Sequence, residues 1–333
     1  MVSIDKRMWQ RLNNWRVGHR IIFLFALLAS SPISQAATAV QKNYKSPEAA
    51  VAALADAVKS GNKVKLSVIL GSHGSKLISS GDAVADARGR AAFVKAFGEA
   101  NKLVFDGDAK ATLVIGKDDW PFPIPLAKRD NAWKFDTEQG EQEILNRRIG
   151  RNELAAIQVC LAIVDAQHDF AASHADSRGV PEYAARIVSS KDKHDGLYWP
   201  TKADEPPSPL GPLVAAAASE GYASALAPYH GYFYRILAAQ GKDAPGGESS
   251  YVVKGKMIGG FAVIAYPARY GASGIQAFIV NQDGAVLEKD LGDDTPTVAP
   301  RITAYNPDAT WRPVEAPTPI DASPKNKQTL SPD

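Results

Sequence analysis

The sequence contains few of the side chains that cross-link a fold or carry covalent chemistry. Its 333 residues include one cysteine, three methionines and six histidines. A single thiol excludes an internal disulfide, and a chain of this length buries enough surface to fold without one. The cysteine, Cys160, lies in the apolar run of residues 154–164. We therefore expect it to pack as a small buried side chain rather than to act as a nucleophile.

The sequence also lacks an excess of either charge. Lysine and arginine number 38 and aspartate and glutamate 36, which gives a net charge of +2. The first 36 residues hold five basic residues and one acid, so the remaining chain is near −2. In that remainder no basic stripe is interleaved with aromatic residues. Nucleic acid and anionic membrane surfaces are therefore not the expected partners.

The apolar run near the N-terminus is too short to span a bilayer. Residues 21–29 are nine uncharged, mostly large apolar residues that follow the basic segment, whereas a spanning helix needs about 20 residues and a signal peptide about 7 to 15. Ser34 and Ala36 are the small residues expected before a signal cleavage site. We predict that residues 1–36 are a Sec signal peptide, cut near Ala36. The product is then periplasmic or secreted and free of the membrane, because Cys160 lies too far from the cut to serve as a lipoprotein cysteine.

Residues 37–140 have the pattern of helices followed by a sheet. Ser46 and Pro47 are typical of a helix start, and helical spacing of apolar residues continues to about residue 60. Further helices are predicted over residues 64–70 and 86–103. Alternation predicts strands at residues 109–115 and 132–136, with the proline-rich residues 120–126 as an edge or irregular strand. The order predicts an α+β unit with a curled antiparallel sheet.

Residues 141–312 form a second predicted α+β unit. It begins with the longest periodic helix, from about Glu141 to Phe170, and ends with β-rich runs of antiparallel sheet. The runs are residues 229–237, 250–253, 260–266, 276–280 and 286–289. Between the last two, residues 281–284 are a hairpin signal. Residues 313–333 have no apolar periodicity, and we predict a disordered tail there.

Two resemblances follow from these patterns. The helices and strands of the first unit resemble the cystatin and nuclear transport factor 2 superfamily. Six strings carry a closer resemblance: DWPFPIPL at 119–126, EILNRRIGRNEL at 143–154, DGLYWP at 195–200, YHGYF at 229–233, GGF at 259–261 and YGASG at 270–274. They are similar to a bacterial exported family called domain of unknown function 2950, over about residues 45–313. The resemblance implies export and brings no mechanism.

One histidine is a candidate catalytic residue. His230 lies between Tyr229 and Gly231 at the start of an aromatic run. As a general base it would need a carboxylate to orient it, and the sequence offers Asp195 and Glu143. The alternative is a structural histidine that is held by hydrogen bonds. We predict the structural role and keep His230 as the candidate for catalysis.

Three arginines form the most unusual charge cluster after the basic N-terminal segment. Arg147, Arg148 and Arg151 lie within five residues of the predicted long helix. Together they are a candidate clamp for an anionic ligand. The alternative is that they pair with nearby carboxylates and lock the junction of the two units. Those carboxylates are Asp136, Glu138, Glu141 and Glu143.

Aromatic residues are the other candidates for ligand binding. Trp199, Tyr229 and Tyr232 belong to strings rich in proline and glycine, and accessible rings of this kind stack on sugars or peptides. The histidines at positions 168, 174 and 194 match no zinc spacing. The glycine-containing strings at 241–247 and 255–260 lack the phosphate-loop pattern. We therefore predict no metal and no cofactor.

Three hypotheses for function follow. The first is a non-enzymatic binding or interaction module of the cell envelope, whose partner is an envelope protein, a peptide or a polysaccharide. The second is an envelope hydrolase that uses His230 with a carboxylate. The third is a pilin-like assembly or secretion-associated subunit, because a long helix followed by an antiparallel sheet is also the order of pilin headgroups. The lack of a catalytic signature favours the first.

Overall fold

The structure is a computed structural model that describes residues 41–314, apart from residues 176, 203, 223, 225 and 226. The predicted signal peptide, at residues 1–36, lies outside the described residues, and so does the predicted tail from residue 315 onward. The described chain combines helices with two large antiparallel sheets. It is therefore a mixed α+β protein, as the sequence predicts.

Seven α-helices are present in the described part of the chain. They are α1 Pro47–Lys59, α2 Lys63–Leu70, α3 Ser75–Ile78, α4 Ala83–Glu99, α5 Thr137–Ser173, α6 Gly211–Ser219 and α7 Thr295–Val298. The first begins as predicted, because the hydroxyl of Ser46 accepts a hydrogen bond from the N–H of Ala49 at 3.2 Å and Pro47 opens the first turn. This is the usual way to satisfy free N–H groups at a helix start.

The strands fall into two large sheets and two short hairpins. The first sheet contains β1 Asn101–Asp106, β2 Lys110–Ile115, β3 Trp120–Pro121, β4 Leu126–Arg129 and β5 Ala132–Phe135. The hairpins are formed by β7 Ala239–Gln240 with β8 Ser249–Ser250, and by β9 Val252–Val253 with β10 Lys256–Met257. The second sheet contains β6 Tyr232–Leu237, β11 Ala262–Pro267, β12 Gln276–Asn281, β13 Leu287–Asp290 and β14 Arg312–Pro313.

The first sheet has the strand order β1–β2–β4–β5, and β3 also pairs with β2. Asp130 and Asn131 make the turn between β4 and β5 with φ of 50° and 60°, which these two residue types tolerate. Helices α1 and α2 pack on the sheet around a core that includes Leu54, Leu66, Leu113, Ile124, Leu126 and Phe135. Of the proline-rich segment, only Trp120–Pro121 and Leu126 pair as strand, in agreement with the predicted irregular edge.

Strand β1 corrects the predicted end of the helix before it. The sequence predicted a helix over residues 86–103, whereas α4 ends at Glu99 and Ala100 is already extended, with φ −160° and ψ 144°. The side-chain amide of Asn101 donates to the carbonyl of Phe97 at 3.0 Å and so satisfies one free group at the helix end. The prediction was wrong because Leu103 fits the helical spacing, while pairing with β2 decides its conformation.

The second sheet has the strand order β14–β13–β12–β11–β6, so β6 is an edge strand. The predicted hairpin is confirmed, because β12 and β13 are antiparallel neighbours and the N–H of Gly284 donates to the carbonyl of Asn281 at 3.0 Å. β14 reaches Pro313, the first residue of the predicted tail. The core of this sheet includes Tyr232, Phe261, Val263, Phe278 and Val280.

Helix α5 contributes to both cores. Near its start, a Cβ on Gly140 would lie 2.5 Å from the carbonyl oxygen of Pro123, and Ile144 packs against the first core. Farther along, Val159 and Cys160 are buried in the second core. Among the described residues α5 is the one helix long and apolar enough to cross a membrane, but half of that apolar window is buried within the protein. Its apolar side chains therefore serve the cores.

Candidate functional site

A slot of about 440 Å³ lies along the free edge of β6. Residues 233–236 of β6 form one wall and residues 185–188 form the other. Neighbouring residues of a strand point to opposite faces of its sheet. Four consecutive residues of β6 therefore place the slot along the edge of the strand, and Tyr266 of β11 extends its lining onto the face that carries Phe233.

The backbone groups of Tyr234 and Ile236 point toward this slot. β6 pairs with β11 on one side only, and the N–H of Ala268 donates to the carbonyl of Gly231 at 2.8 Å in the same ladder. In an antiparallel ladder alternate residues face the partner strand, so Tyr234 and Ile236 face outward. Within the described chain their N–H and C=O groups have no hydrogen-bond partner. The edge is open over at least these two residues.

The opposite wall is held by hydrogen bonds to a second segment of the chain. The N–H of Leu197 donates to the carbonyl of Arg186 at 3.1 Å, and the N–H of Tyr198 donates to the carbonyl of Ile187 at 2.9 Å. A Cβ on Gly196 would lie 2.7 Å from the N of Ser189, so the two segments approach as closely as backbones can. The wall is therefore a paired segment rather than a free loop.

Asp195 holds the turn that joins these two segments. Its carboxylate accepts hydrogen bonds from the N–H of Ser190 at 2.6 Å and from the Ser190 hydroxyl at 2.9 Å. The bond from the Ser190 N–H lowers the pKa of Asp195 most, and the Ser190 hydroxyl and the Arg186 guanidinium lower it further. The charged carboxylate therefore stabilises the second wall of the slot.

Side chains of β6 are fixed on both faces of the strand. The hydroxyl of Tyr234 donates to the carbonyl of Tyr229 at 3.2 Å, and burial raises the pKa of Tyr234 well above its usual value. The guanidinium of Arg235 donates to the carbonyl of Ile302 at 2.7 Å. Phe233 packs against Tyr266 with 5.6 Å between ring centroids. These contacts hold the first wall in place.

His230 lies two residues before β6, and its carboxylate neighbour is one that the sequence did not suggest. Its Nε2 is 3.9 Å from Oε2 of Glu220, at the end of α6. The same carboxylate binds the guanidinium of Arg88 at 2.7 Å and accepts a hydrogen bond from the hydroxyl of Tyr229 at 3.4 Å. Burial raises the pKa of Tyr229, and the Glu220 charge adds to that effect.

The two carboxylates proposed from the sequence as partners of His230 have other contacts. Asp195 binds Ser190, and Glu143 pairs with Arg147 at 2.6 Å along α5. Neither forms an ion pair with His230 in the described chain. The sequence gave no means to choose the carboxylate partner of His230, whereas the fold places Glu220, at the end of α6, beside it.

The backbone around His230 is held by a buried carboxylate. Asp82, the N-cap of α4, accepts hydrogen bonds from the N–H of Ala85 at 2.9 Å and from the N–H of Gly231 at 2.9 Å. His230 itself has a φ of 50°, in the left-handed region that side chains rarely adopt. The hydrogen bond from Gly231 to Asp82 thus fixes the loop before β6 to the start of α4. Asp82 was not among the predicted site residues. Its position before a helix is typical of a cap, but nothing near it in the sequence indicates a bond to Gly231.

The three arginines of α5 do not converge on one site. Arg147 pairs with Glu143 along the exposed face of the helix, and Arg151 is exposed. Arg148 is directed elsewhere: its guanidinium donates to the carbonyls of Lys76 at 2.7 Å and Leu77 at 3.0 Å. Burial lowers the pKa of Arg148. The cluster therefore includes one structural arginine and gives no common anion clamp.

The predicted pairing of these arginines with four carboxylates holds only for Glu143. Asp136 pairs with Arg129 at 3.6 Å, and Glu141 pairs with His73 at 2.9 Å. Glu138 is exposed. Arg148 instead binds backbone carbonyls at the end of α3, because the last carbonyls of a helix have no partner within it. Arg269 does the same with the carbonyl of Ser79, at 2.6 Å.

A family model described as "Protein of unknown function (DUF2950)" matches residues 41–314. The chain belongs to this family. The resemblance carried by the six strings is thereby confirmed over nearly the range that the sequence suggested. No curated protein and no solved structure matches the chain.

Two of the six strings of this DUF2950 chain build the slot. DGLYWP, at 195–200, supplies the residues that fix the second wall, and YHGYF, at 229–233, leads into the open edge of β6. The other candidate aromatic residues differ in exposure. Trp199 is half-buried and stacks on His194 with 4.2 Å between centroids. Tyr229 is half-buried and packs edge-on against Tyr222 at 4.9 Å.

Tyr232 is a core residue in this DUF2950 chain. It is fully buried and its hydroxyl donates to the carbonyl of Gln276 at 2.9 Å. A Cβ on Gly274 would overlap that hydroxyl, so the glycine before β12 leaves the room that the tyrosine occupies. A ligand cannot reach the ring without unfolding this edge of the core. The sequence proposed Tyr232 for ligand binding because alternation does not tell which face of an edge strand is buried.

The histidines considered for metal binding each pack against an aromatic ring. His168 lies edge-on to Phe261 at 5.9 Å, and His174 stacks on Phe170 at 3.8 Å. In the part of the DUF2950 chain that the structure describes, no group of three His, Cys, Asp or Glu residues is placed to hold a metal ion.

Proposed function

We propose that this DUF2950 protein is a non-enzymatic binding module of the cell envelope that binds an extended peptide segment in the slot along β6. One observation carries the proposal: Tyr234 and Ile236 present unpaired N–H and C=O groups to a slot whose other wall is a second backbone. A peptide in the extended conformation supplies the complementary groups, as in strand addition to a sheet edge.

The dimensions of the slot support one peptide strand. An extended segment that pairs with the open edge of β6 would lie about 4.8 Å from that strand. The slot's volume of about 440 Å³ lies in the usual range for ligand pockets, roughly 300 to 1,000 Å³. Both walls are held by backbone hydrogen bonds to neighbouring segments. Little ordering of the protein is then needed on binding, and this favours affinity.

The location outside the cytoplasm is part of the proposal and rests on the sequence. A basic segment, nine apolar residues and small residues before Ala36 support a cleaved signal peptide. The partner is then an envelope or extracellular protein that offers a flexible segment. We also propose, from the order of helices and a curled sheet, that residues 37–140 share the cystatin and nuclear transport factor 2 pattern.

The experiment that tests the function fills the slot without touching the core. Ala185 is exposed on the second wall, so Ala185→Trp places an indole in the slot, and Ala185→Ser is the matched control. A display library of random peptides about 10 residues long is selected on the wild-type protein, and the selected peptides are titrated by calorimetry. We expect binding to wild type and Ala185→Ser and a loss of at least about tenfold with Ala185→Trp.

The negative result is equally clear. If selection returns no binding peptide, or if Ala185→Trp binds as tightly as wild type while its unfolding curve is unchanged, the slot is not the binding site. Infrared or NMR signals of new strand pairing on Tyr234 and Ile236 distinguish strand addition from side-chain contact.

A hydrolase is a second candidate because Glu220 lies close to His230. The Nε2 to Oε2 distance of 3.9 Å is longer than a hydrogen bond, but such pairs shorten when substrate binds. His230→Asn is the sharp test, since asparagine tolerates the left-handed φ of 50° and cannot act as a general base. Turnover of ester, peptide or peptidoglycan substrates that disappears in His230→Asn supports hydrolysis. Absence of turnover in the wild type rejects it.

A further inference from the structure

The first sheet also has an open edge, at β1. This strand pairs only with β2, and the N–H of Gly116 donates to the carbonyl of Ala100 at 2.9 Å in the same ladder. By the alternation of an antiparallel ladder, the backbone groups of Leu103 and Phe105 face away from β2. Within the described chain these outward groups have no hydrogen-bond partner.

The side chains of β1 are unusually apolar for an exposed edge. Val104 is 49% exposed and Phe105 is 53% exposed, on opposite faces of the strand. Edge strands of monomeric proteins are usually short, bulged, covered or rich in charge, because an open apolar edge invites pairing with another chain. β1 has six residues in unbroken register with β2. An edge of this kind is expected to pair with a strand of another chain.

We infer that β1 pairs antiparallel with β1 of a second copy of this chain, about a two-fold axis at Val104. The inference is independent of the proposed peptide slot, which lies on the other sheet. It rests on the sequence of the strand, Asn-Lys-Leu-Val-Phe-Asp, which is complementary to itself when reversed.

The register follows from charge. With Val104 opposite Val104, Lys102 of each copy lies opposite Asp106 of the other, on the same face of the joined sheet. On the other face Leu103 lies opposite Phe105. Opposite charges and apolar pairs directly across a ladder are both stabilising. Leu103 of one copy and Phe105 of the other also exchange both of their outward backbone hydrogen bonds.

The neighbouring registers lose this match. Only odd-numbered residues of β1 face outward, so any other register must again pair odd-numbered residues. The two neighbouring registers place Leu103 opposite Leu103 or Phe105 opposite Phe105. In the first of these registers Lys102 lies opposite Val104, and in the second Asp106 lies opposite Val104.

Within one copy, Lys102 contacts Asp119 at 2.7 Å, with both side chains more than half exposed. An exposed pair of this kind is weak, so Lys102 is available to the second copy.

A charge-reversal series tests both the partner and the register. The purified chain is studied by sedimentation up to about 1 mM. We expect a concentration-dependent dimer in the wild type, and dissociation constants raised roughly tenfold by Lys102→Glu or Asp106→Lys alone, because each puts like charges opposite each other twice. The double variant Lys102→Glu/Asp106→Lys restores the opposite pairs, and its dissociation constant returns to within about threefold of wild type.

A cysteine placed on the axis gives a second readout. In Val104→Cys the two thiols fall in a close, non-hydrogen-bonded pair, with Cα atoms about 4.5 Å apart, which suits a disulfide. The native Cys160 is fully buried and does not compete. Val64→Cys, at a residue of α2 that is 75% exposed, is the control for random collision. We expect Val104→Cys to cross-link at least tenfold faster, and Lys102→Glu to slow it.

Two results would overturn the inference. One is a wild-type chain that stays monomeric at every concentration, which would leave β1 open or reserve it for a different protein. The other is a dimer that ignores the charge reversals and in which Val104→Cys cross-links no faster than Val64→Cys. That dimer would use another surface.

Discussion

The hydroxyl of Tyr222 donates a hydrogen bond to the carboxylate of Asp82 at 2.7 Å, across 140 residues of sequence. Both side chains are buried, and Asp82 has 1% of its surface exposed. The same carboxylate accepts from the N–H groups of Ala85 and Gly231. Burial, together with the nearby carboxylate, raises the pKa of Tyr222. One side chain thus caps α4 and fixes the loop that leads into the open edge of β6.

We predict that the Asp82–Tyr222 contact is strongly coupled. Tyr222→Phe removes one charge-assisted hydrogen bond and should lower the free energy of unfolding by about 1.5 to 3 kcal/mol. Asp82→Ala leaves three donors unpaired, two of them buried, and should lower it by roughly 3 kcal/mol or more. In the Asp82→Ala background, Tyr222→Phe should cost at least about 1 kcal/mol less than in wild type. Urea unfolding of the four proteins measures this cycle.

Tyr251→Phe is the control for that cycle. Its hydroxyl donates to Gln240 at 3.0 Å in a separate network, so its effect should be the same with and without Asp82. If the effects of Tyr222→Phe and Asp82→Ala on the free energy of unfolding also add, the two side chains have no coupling energy, and packing alone fixes the loop.

Two glycines of α5 should respond in opposite directions to the same substitution. A Cβ on Gly150 meets nothing within 4 Å, whereas a Cβ on Gly140 would lie 2.5 Å from the Pro123 oxygen and 2.8 Å from the Cα of Ile124. Gly150→Ala should therefore raise the free energy of unfolding by about 0.5 to 1 kcal/mol through helix propensity. Gly140→Ala should lower it by roughly 1 to 3 kcal/mol through overpacking.

Denaturant unfolding of both variants, with equal slopes, checks the glycine prediction. A neutral or stabilising Gly140→Ala would show that the start of α5 does not pack against the proline-rich segment as closely as described.

The thiol of Cys160 should be inert in the folded protein. It is fully buried in the second core, and burial raises its pKa to about 12. Only the thiolate reacts at a useful rate, so labelling by a thiol reagent at pH 8 should be negligible in buffer and complete in denaturant. Rapid labelling of the native protein would show that α5 opens locally. It would also remove the single-cysteine background that the Val104→Cys experiment uses.

The second wall of the peptide slot should weaken in acid through Asp195. Its pKa is lowered in the folded state by hydrogen bonds from Ser190, so its contribution to stability is full above the ordinary pKa of about 3.9 and is lost as the pH falls through the lower, folded value. Asp195→Asn should therefore be less stable than wild type at pH 7, and the difference should shrink toward pH 3.

Thermal unfolding across that pH range measures the Asp195 effect, and Asp192→Asn is its control. Asp192 is an exposed residue of the same loop with φ 59°, a conformation that asparagine also tolerates. Its replacement shows what the loss of an exposed carboxylate from this loop costs. A difference for Asp195→Asn that stays constant with pH would mean that the amide replaces the carboxylate fully at Ser190.

Local patterns predicted most of the elements because each has a local cause. Ser46 and Pro47 mark the start of α1, and residues 281–284 mark a hairpin, since these residues favour the required backbone angles wherever they occur. The end of α4 was predicted wrongly, because the apolar side chains of β1 fit both a helical and an alternating pattern. Only its partner strand selects one of them.

The candidate site was predicted less well because its geometry depends on contacts between distant residues. The sequence singled out His230, Tyr229 and the arginines, but it offered Asp195 and Glu143 where the structure places Glu220 beside His230. It gave no sign of the slot. A slot between residues 185–188 and 233–236 exists only when two segments almost 50 positions apart run side by side.

The sequence by itself determined the α+β class, the membership in the family and the approximate positions of most helices and strands. Periodicity, caps and turn residues act over a few neighbouring positions, so they can be recognised locally. Tertiary structure alone decided which strand edges stay open, that Tyr232 is buried while Tyr229 contacts Glu220, and that Arg148 binds carbonyls of α3. Those outcomes depend on which distant backbones meet, and a contact between segments far apart in the chain carries no mark in the local sequence.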